Sequence, residues 1–256
     1  MTKRSSRAVT AQTDNAPDRG QHDRAPMDRG KVQPLFGPGW DPLSERREQS
    51  YVRKIQPRSP NQQKLLTAIA DHSLTLAIGP AGTGKTYLAV SAAVEALEAG
   101  KIERIVLSRP AIEAGESLGY LPGDMMEKMA PYLRPLYDCL TDRLGGKRLR
   151  ALMAEGEIEI APIGYMRGRT LNNAFVVIDE AQNCTYAQMK MLLTRLGWHS
   201  TMVITGDPEQ SDLLAGMSGL ADIARRLEVL PGIAVVRLED RDIVRHPLVG
   251  AMLSVL

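Results

Sequence analysis

The chain has 256 residues, of which 43% are hydrophobic and 24% charged, with a formal net charge of +2. That length accommodates one large α/β domain with a full core plus a tail, or two small domains, and the motif order favours one. The two cysteines, Cys139 and Cys184, stand far apart with no CxxC or Cys/His spacing, which argues against a disulfide framework or a zinc centre and fits a reducing, cytoplasmic setting.

Residues 1–58 carry 12 Lys and Arg against 7 Asp and Glu, a net +5, while the remainder of the chain is −3. This stretch is rich in Asp, Arg, Gln, Pro and Gly and has no period of 2 or 3.6. It is expected to be a disordered basic tail, because it cannot bury enough apolar area to offset its ordering entropy. Its basic residues are interspersed with acids, which reads as solvated disorder rather than a nucleic-acid arm. Local docking around Leu35, Phe36 and Trp40, and a short helix over Glu45 to Lys54, are weaker expectations. Lys3, Arg4 and Arg7 have no apolar run behind them, and nothing reaches the ~18 uninterrupted apolar residues of a membrane span, so the protein reads as soluble and not secreted.

From residue 59 to 256 short apolar runs alternate with amphipathic segments, the pattern of a mainly parallel sheet with helices on both faces. Strands are expected at Leu74 to Ile78, Arg104 to Leu107, Glu157 to Ile160, Ala174 to Ile178, Thr201 to Thr205 and Ile233 to Leu238. Lys85 to Ala99 should be a helix with Val90, Val94 and Leu97 on one face and Gly100 past its end. Thr185 to Leu196 should be another, with Met189, Leu192, Leu193 and Leu196 on one stripe. Pro110 to Gly156 reads as an insertion that its prolines cut into short pieces, with helices at Asp124 to Met129 and Pro135 to Leu144.

Three motifs carry chemistry. Gly79, Pro80, Ala81, Gly82, Thr83, Gly84, Lys85 and Thr86 match G-x-x-x-x-G-K-[ST] between a strand and a helix, the context of a phosphate-binding P-loop. Backbone N–H groups and the helix dipole would hold the β-phosphate of ATP, Lys85 would reach the β- and γ-oxygens, and the Thr86 hydroxyl would ligate Mg²⁺. Next, the strand ending at Ile178 delivers Asp179 and Glu180 to its C-terminal edge. Asp179 suits holding Mg²⁺ from behind its direct ligands, and Glu180 suits orienting and polarising the attacking water. Finally, Thr205, Gly206, Asp207, Pro208, Glu209 and Gln210 form a polar turn after another strand. Gln210 both donates and accepts, so it can sense the γ-phosphate or the water.

With these three motifs in place the chain resembles the PhoH family of bacterial ATPases. The likeness runs from about Ser59 to the C-terminus through Leu107 to Pro110, Glu113 to Glu116, Leu118 to Asp124, Asp179 to Asn183, Met166 to Thr170, Ser218 to Leu220 and Ile243 to Pro247. The resemblance implies a RecA-like P-loop NTPase domain akin to the first motor domain of superfamily 1 helicases, ATP hydrolysis, a cytoplasmic setting, and a looser link to RNA. It also implies that Gln62, in Asn61-Gln62-Gln63, reads the adenine edge, with Gln63 a substitute. The KH and PIN modules of some relatives have no counterpart in these 256 residues.

A superfamily 1 motor closes its site with arginines from a second motor domain. None is read in this chain, so the expectation is a homo-oligomer, a hexameric ring by resemblance, in which a neighbour supplies Arg245 or, second, Arg169. Arg109, Arg167 and Arg169 lie on stretches that could instead line a nucleic-acid channel, with Tyr120, Tyr132 and Tyr165 for stacking. An ATP-driven switch acting on a protein partner, or a small-molecule kinase, are the competing readings. The water-activating and γ-phosphate-sensing groups argue against the kinase.

Overall fold

The computed structural model describes residues 55–110, 125–214 and 216–244, and nothing of the side chains of residues 125–129. The expected tail, the insertion up to residue 124 and the segment from Arg245 lie almost wholly outside the described residues.

Six parallel strands form one sheet in the order β3-β2-β4-β5-β1-β6, with β1 at Leu74–Ile78, β2 at Arg104–Arg109, β3 at Ile158–Pro162, β4 at Ala174–Ile178, β5 at Thr201–Gly206 and β6 at Ile233–Arg237. The helices are α1 (Pro60–Asp71), α2 (Lys85–Glu98), α3 (Met125–Leu144), α4 (Gly146–Ala154), α5 (Tyr186–Leu193) and α6 (Leu220–Leu227). This is the RecA-like α/β architecture expected. Pairing is parallel throughout and both faces are covered, so the central strands read as continuous apolar runs rather than alternating ones.

Two cores result from the pleat. Leu74, Leu76 and Ile78 of β1 join Val176 and Ile178 of β4 against Met189 and Leu192 of α5 and Ile223 of α6. Ala77, Leu107, Val177 and Val203 point the other way, against α1 to α4. The stripe on α2 is as read for Val90 and Val94, which are fully buried, while Leu97 packs at the margin.

The insertion departs from expectation. Instead of two pieces separated by prolines, α3 is a single helix over Met125–Leu144 with Pro131 and Pro135 inside it. An interior proline removes a ladder bond and costs about 3 kcal/mol. Leu133, Leu136, Leu140 and Leu144, at spacings of three and four, are all buried in the core shared with α2 and α4, and that tertiary burial offsets the local penalty.

Helix starts follow their local chemistry. Ser59 caps α1 by accepting the Gln62 N–H, with Pro60 in the first turn. Thr185 and Gln188 form a reciprocal capping box on α5. Gly84 begins α2 with φ 83°, a left-handed conformation that a side chain would resist. Among the described residues no helix is long and apolar enough to cross a membrane.

Candidate active site

The strand order makes the site. β2, β4, β5 and β1 are spatial neighbours although they are spread along the chain, and the loops at their C-terminal ends open on one side of the sheet, where open α/β sheets bind ligands. Ser108 pairs with Ile178 and Ile178 with Ile204. The next residues, Arg109, Asp179 and Thr205, therefore arrive at one level. Arg109 and Asp179, with the loop after β1, border a cleft of about 390 Å³, while Thr205 is fully buried.

The Gly79–Thr86 loop is shaped as the motif requires. Gly79 has φ 146°, and a Cβ there would lie 2.3 Å from the Leu238 carbonyl oxygen, so the first glycine is needed for close approach of β6's end. Lys85 curls back into the loop, its Nζ donating to the carbonyls of Gly79 at 2.5 Å and Pro80 at 2.7 Å. Those carbonyls hold the ammonium within the loop. Gly82, Gly84, Lys85 and Thr86 all line the cleft.

Asp179 is 2% exposed, and its Oδ1 accepts two hydroxyls, from Thr86 at 2.6 Å and from Thr205 at 2.7 Å. Glu180, directly after it, has φ 51° and ψ 42°. A left-handed conformation costs a non-glycine residue roughly 1–2 kcal/mol, and the strain turns the strand sharply into a short 3-10 turn over Ala181–Asn183. Glu180 and Asp179 both line the cleft.

Gln182, which lies within the Asp179 to Asn183 motif but has no role legible in the sequence, bridges two site segments. It is 3% exposed, its Nε2 donates to Glu180 Oε2 at 2.5 Å, and its Oε1 accepts the Asp207 N–H at 3.1 Å. One amide thus joins the carboxylate after β4 to the turn after β5. Asn183 repeats the theme by exchanging two hydrogen bonds with Asp212. Gln210 borders the cleft from that turn with an exposed side chain. Thr205 was likewise visible in its motif, but only the sheet register brings it to Asp179.

Other expected residues fall elsewhere. Gln62 is 3% exposed and donates from Nε2 to the Thr83 carbonyl while accepting the Arg58 N–H, so its amide braces the phosphate loop from behind. Gln63 is exposed. Arg109, expected on a nucleic-acid surface, lines the cleft instead, 3.6 Å from Asp179 and 3.4 Å from Glu180, because its register on β2 sets it beside β4. Arg169 is held by Glu159 of β3 through two 2.6 Å hydrogen bonds, which occupy the fork that a second subunit's phosphate would need. Arg167 is exposed, next to the 3-10 turn that presents Tyr165. Tyr132 packs against the core, and Tyr120 and Arg245 lie outside the described residues. The last described residue, Val244, donates its N–H to the Gly82 carbonyl at 2.9 Å.

One wall of the cleft comes from the insertion: Pro135 and Cys139 of α3 border it beside Tyr87. Burial, with Asp179, Asp138 and Asp142 adding to it, pushes the Cys139 thiol up to about 12, so it stays protonated and is no nucleophile at neutral pH. Cys184 is pushed equally high by burial.

The donor set suits Mg²⁺. It offers hard oxygens from Thr86 and Asp179, and no group of three or more His, Cys, Asp or Glu that could hold a metal occurs among the described residues. Mg²⁺ is commonly held in this way, by one or two protein oxygens plus water and phosphate rather than by an all-protein cage.

Residues 54–256 match the family model described as PhoH-like protein. A PhoH-like protein of Bacillus subtilis (strain 168) is 55% identical over 203 residues, covering 79% of this chain and 64% of that protein. A PhoH-like protein of Mycobacterium tuberculosis (strain H37Rv) is 52% identical over 203 residues, covering 79% and 58%. Protein PhoH of Escherichia coli K12 is 44% identical over 213 residues, covering 82% and 60%. The chain thus spans less than two thirds of the length of these relatives.

Proposed function

The chain belongs to the PhoH-like family, and from that premise we propose that it is a Mg²⁺-dependent ATP hydrolase whose turnover is coupled to RNA. The observation that carries the hydrolase reading is the meeting of Thr86, Asp179 and Thr205 at one carboxylate oxygen, in a cleft that Lys85 of the phosphate loop also lines.

Each residue then has a task. The loop N–H groups and Lys85 take the β- and γ-phosphates, Lys85 exchanging the Gly79 and Pro80 carbonyls for phosphate oxygens. Thr86 and Asp179 would hold Mg²⁺, which when bound would neutralise charge on the phosphates. Glu180, held by Gln182, orients a water on the γ-phosphate and polarises it. Gln210 senses that phosphate at the cleft's rim. In this reading Gln62 reaches adenine by giving up the Arg58 N–H while keeping the Thr83 carbonyl.

The test is phosphate release from ATP by the purified chain with and without Mg²⁺, beside Lys85→Ala. Turnover by the wild type that needs Mg²⁺ and falls by about a hundredfold or more in the variant is expected. Turnover that survives in Lys85→Ala would sink the reading.

The RNA coupling draws support from Tyr165, which is 56% exposed next to the exposed Arg167, a stacking ring beside a phosphate-pairing cation. RNA should raise the ATPase rate at low salt and lose that effect as salt rises. Turnover indifferent to any RNA favours the protein-directed switch. The same proposal includes a homo-oligomeric ring in which a neighbour's Arg245 completes the site. Arg245→Ala with full turnover in an assembly of unchanged mass removes that arginine from the scheme.

A further inference from the structure

Arg109 is the only guanidinium bordering the cleft among the described residues, and it touches both carboxylates through which the site would work. Its Nη1 lies 3.6 Å from Asp179 Oδ2, and its Nη2 lies 3.4 Å from Glu180 Oε1. We propose that Arg109 is a built-in counter-ion to Asp179 and Glu180, standing beside the one Asp179 oxygen that Thr86 and Thr205 leave open, so that Mg²⁺ comes to that side of Asp179 only by displacing this arginine. The proposal rests on the Mg–ATP reading given above.

Three observations point the same way. Asp179 Oδ1 is already committed to the Thr86 and Thr205 hydroxyls, which leaves Oδ2 as the oxygen open to a cation, and Oδ2 is the one facing Arg109. The two acids are adjacent in sequence and share the cleft, so without a cation between them they repel one another at close range. The Arg109 contacts are also long. Arg169 grips Glu159 through two bonds of 2.6 Å, whereas Arg109 stands 3.4 to 3.6 Å from its acids, a placement that supplies charge without a tight bidentate lock. A loose guanidinium with a fifth of its side chain exposed can swing away at small cost. The role is that of a positioning residue, which offsets the repulsion between the two acids until the metal arrives.

The measurement is nucleotide affinity rather than turnover. The dissociation constant of a fluorescent, non-hydrolysable ATP analogue is determined for the full chain in EDTA and in saturating Mg²⁺, and the ratio of the two is the metal's contribution. In Arg109→Gln, where Mg²⁺ has no cation to expel, the ratio should grow about tenfold over the wild type. Arg109→Lys keeps the charge but cannot span both acids, and should fall between the two. It also serves as the reporting variant if the glutamine form does not fold. A ratio in both variants equal to or below that of the wild type would overturn the proposal while leaving the ATP site standing. A wild type that binds the analogue in neither condition would remove the ATP reading itself, and this proposal with it.

Discussion

At the centre of the sheet Arg109 stands 3.6 Å from Asp179 and 3.4 Å from Glu180, and at the β3 edge Arg169 holds Glu159 through two bonds of 2.6 Å. The geometrically better pair is the one outside the cleft. Half-exposed ion pairs of this kind contribute little, about 0–1 kcal/mol, because water competes for both partners. The central cluster is strained at Glu180 and holds its arginine at long range, and so gives up stability for groups that a ligand can reorganise.

Substitutions can break that contrast. The largest effect is expected from Glu180→Gln, which keeps shape and removes charge: kcat for ATP should fall roughly 10²–10³-fold with analogue affinity nearly kept. Steady-state kinetics beside a binding titration check this, and a fall in affinity matching the fall in kcat would assign Glu180 to binding instead. Gln182→Ala should come next, at roughly tenfold in kcat with KM little changed, because it removes Glu180's donor and leaves the Asp207 N–H without its acceptor. An unchanged kcat would demote the bridge to packing.

The smallest effects belong to the edge. Arg169→Ala should cost no more than about 1 kcal/mol in thermal or urea unfolding and leave ATP turnover intact. A severe loss of turnover would restore Arg169 to the site. The same pair sets a pH signature. Hydrogen bonds from Arg169 hold the Glu159 carboxyl below its ordinary 4.5, against the opposing pull of partial burial. A depressed carboxyl contributes stability above its unfolded pKa and loses it as pH falls through the folded value. The difference in melting temperature between wild type and Arg169→Ala should therefore persist at neutral pH and close as pH drops below about 4. A gap that stays constant down to pH 2.5 would show that the pair's contribution is packing of the arginine stem.

Much of this was legible in the sequence because it is local. Leu74–Ile78 and Ala174–Ile178 are strands at the bounds expected, since a buried parallel strand is an unbroken apolar run. The β5 strand starts at Thr201 as read and runs one residue further, to Gly206. The α5 helix is shorter than its apolar stripe, starting at Tyr186 because Thr185 serves as its cap. The phosphate loop is legible for the same reason: its glycines and lysine act on their own backbone. The α3 helix was not legible, because Pro131 and Pro135 argue for a break locally, and only the burial of Leu133, Leu136 and Leu140 against α2 and α4 overrides them. α1, α4 and α6 fall in stretches where the sequence singles out no individual helix, although their apolar spacing is no weaker than that of α2 or α5.

By itself, then, the sequence determined the phosphate loop, the two acids after β4, the sensor turn and the α/β class, all of which follow from chemistry between near neighbours on the chain. Only the tertiary structure decided who meets whom. The β3-β2-β4-β5-β1-β6 order sets Arg109, Asp179 and Thr205 side by side across about 100 residues of chain. Parallel pairing needs long crossovers, so no spacing along the chain could have revealed that level, or moved Arg109 from a nucleic-acid surface into the cleft.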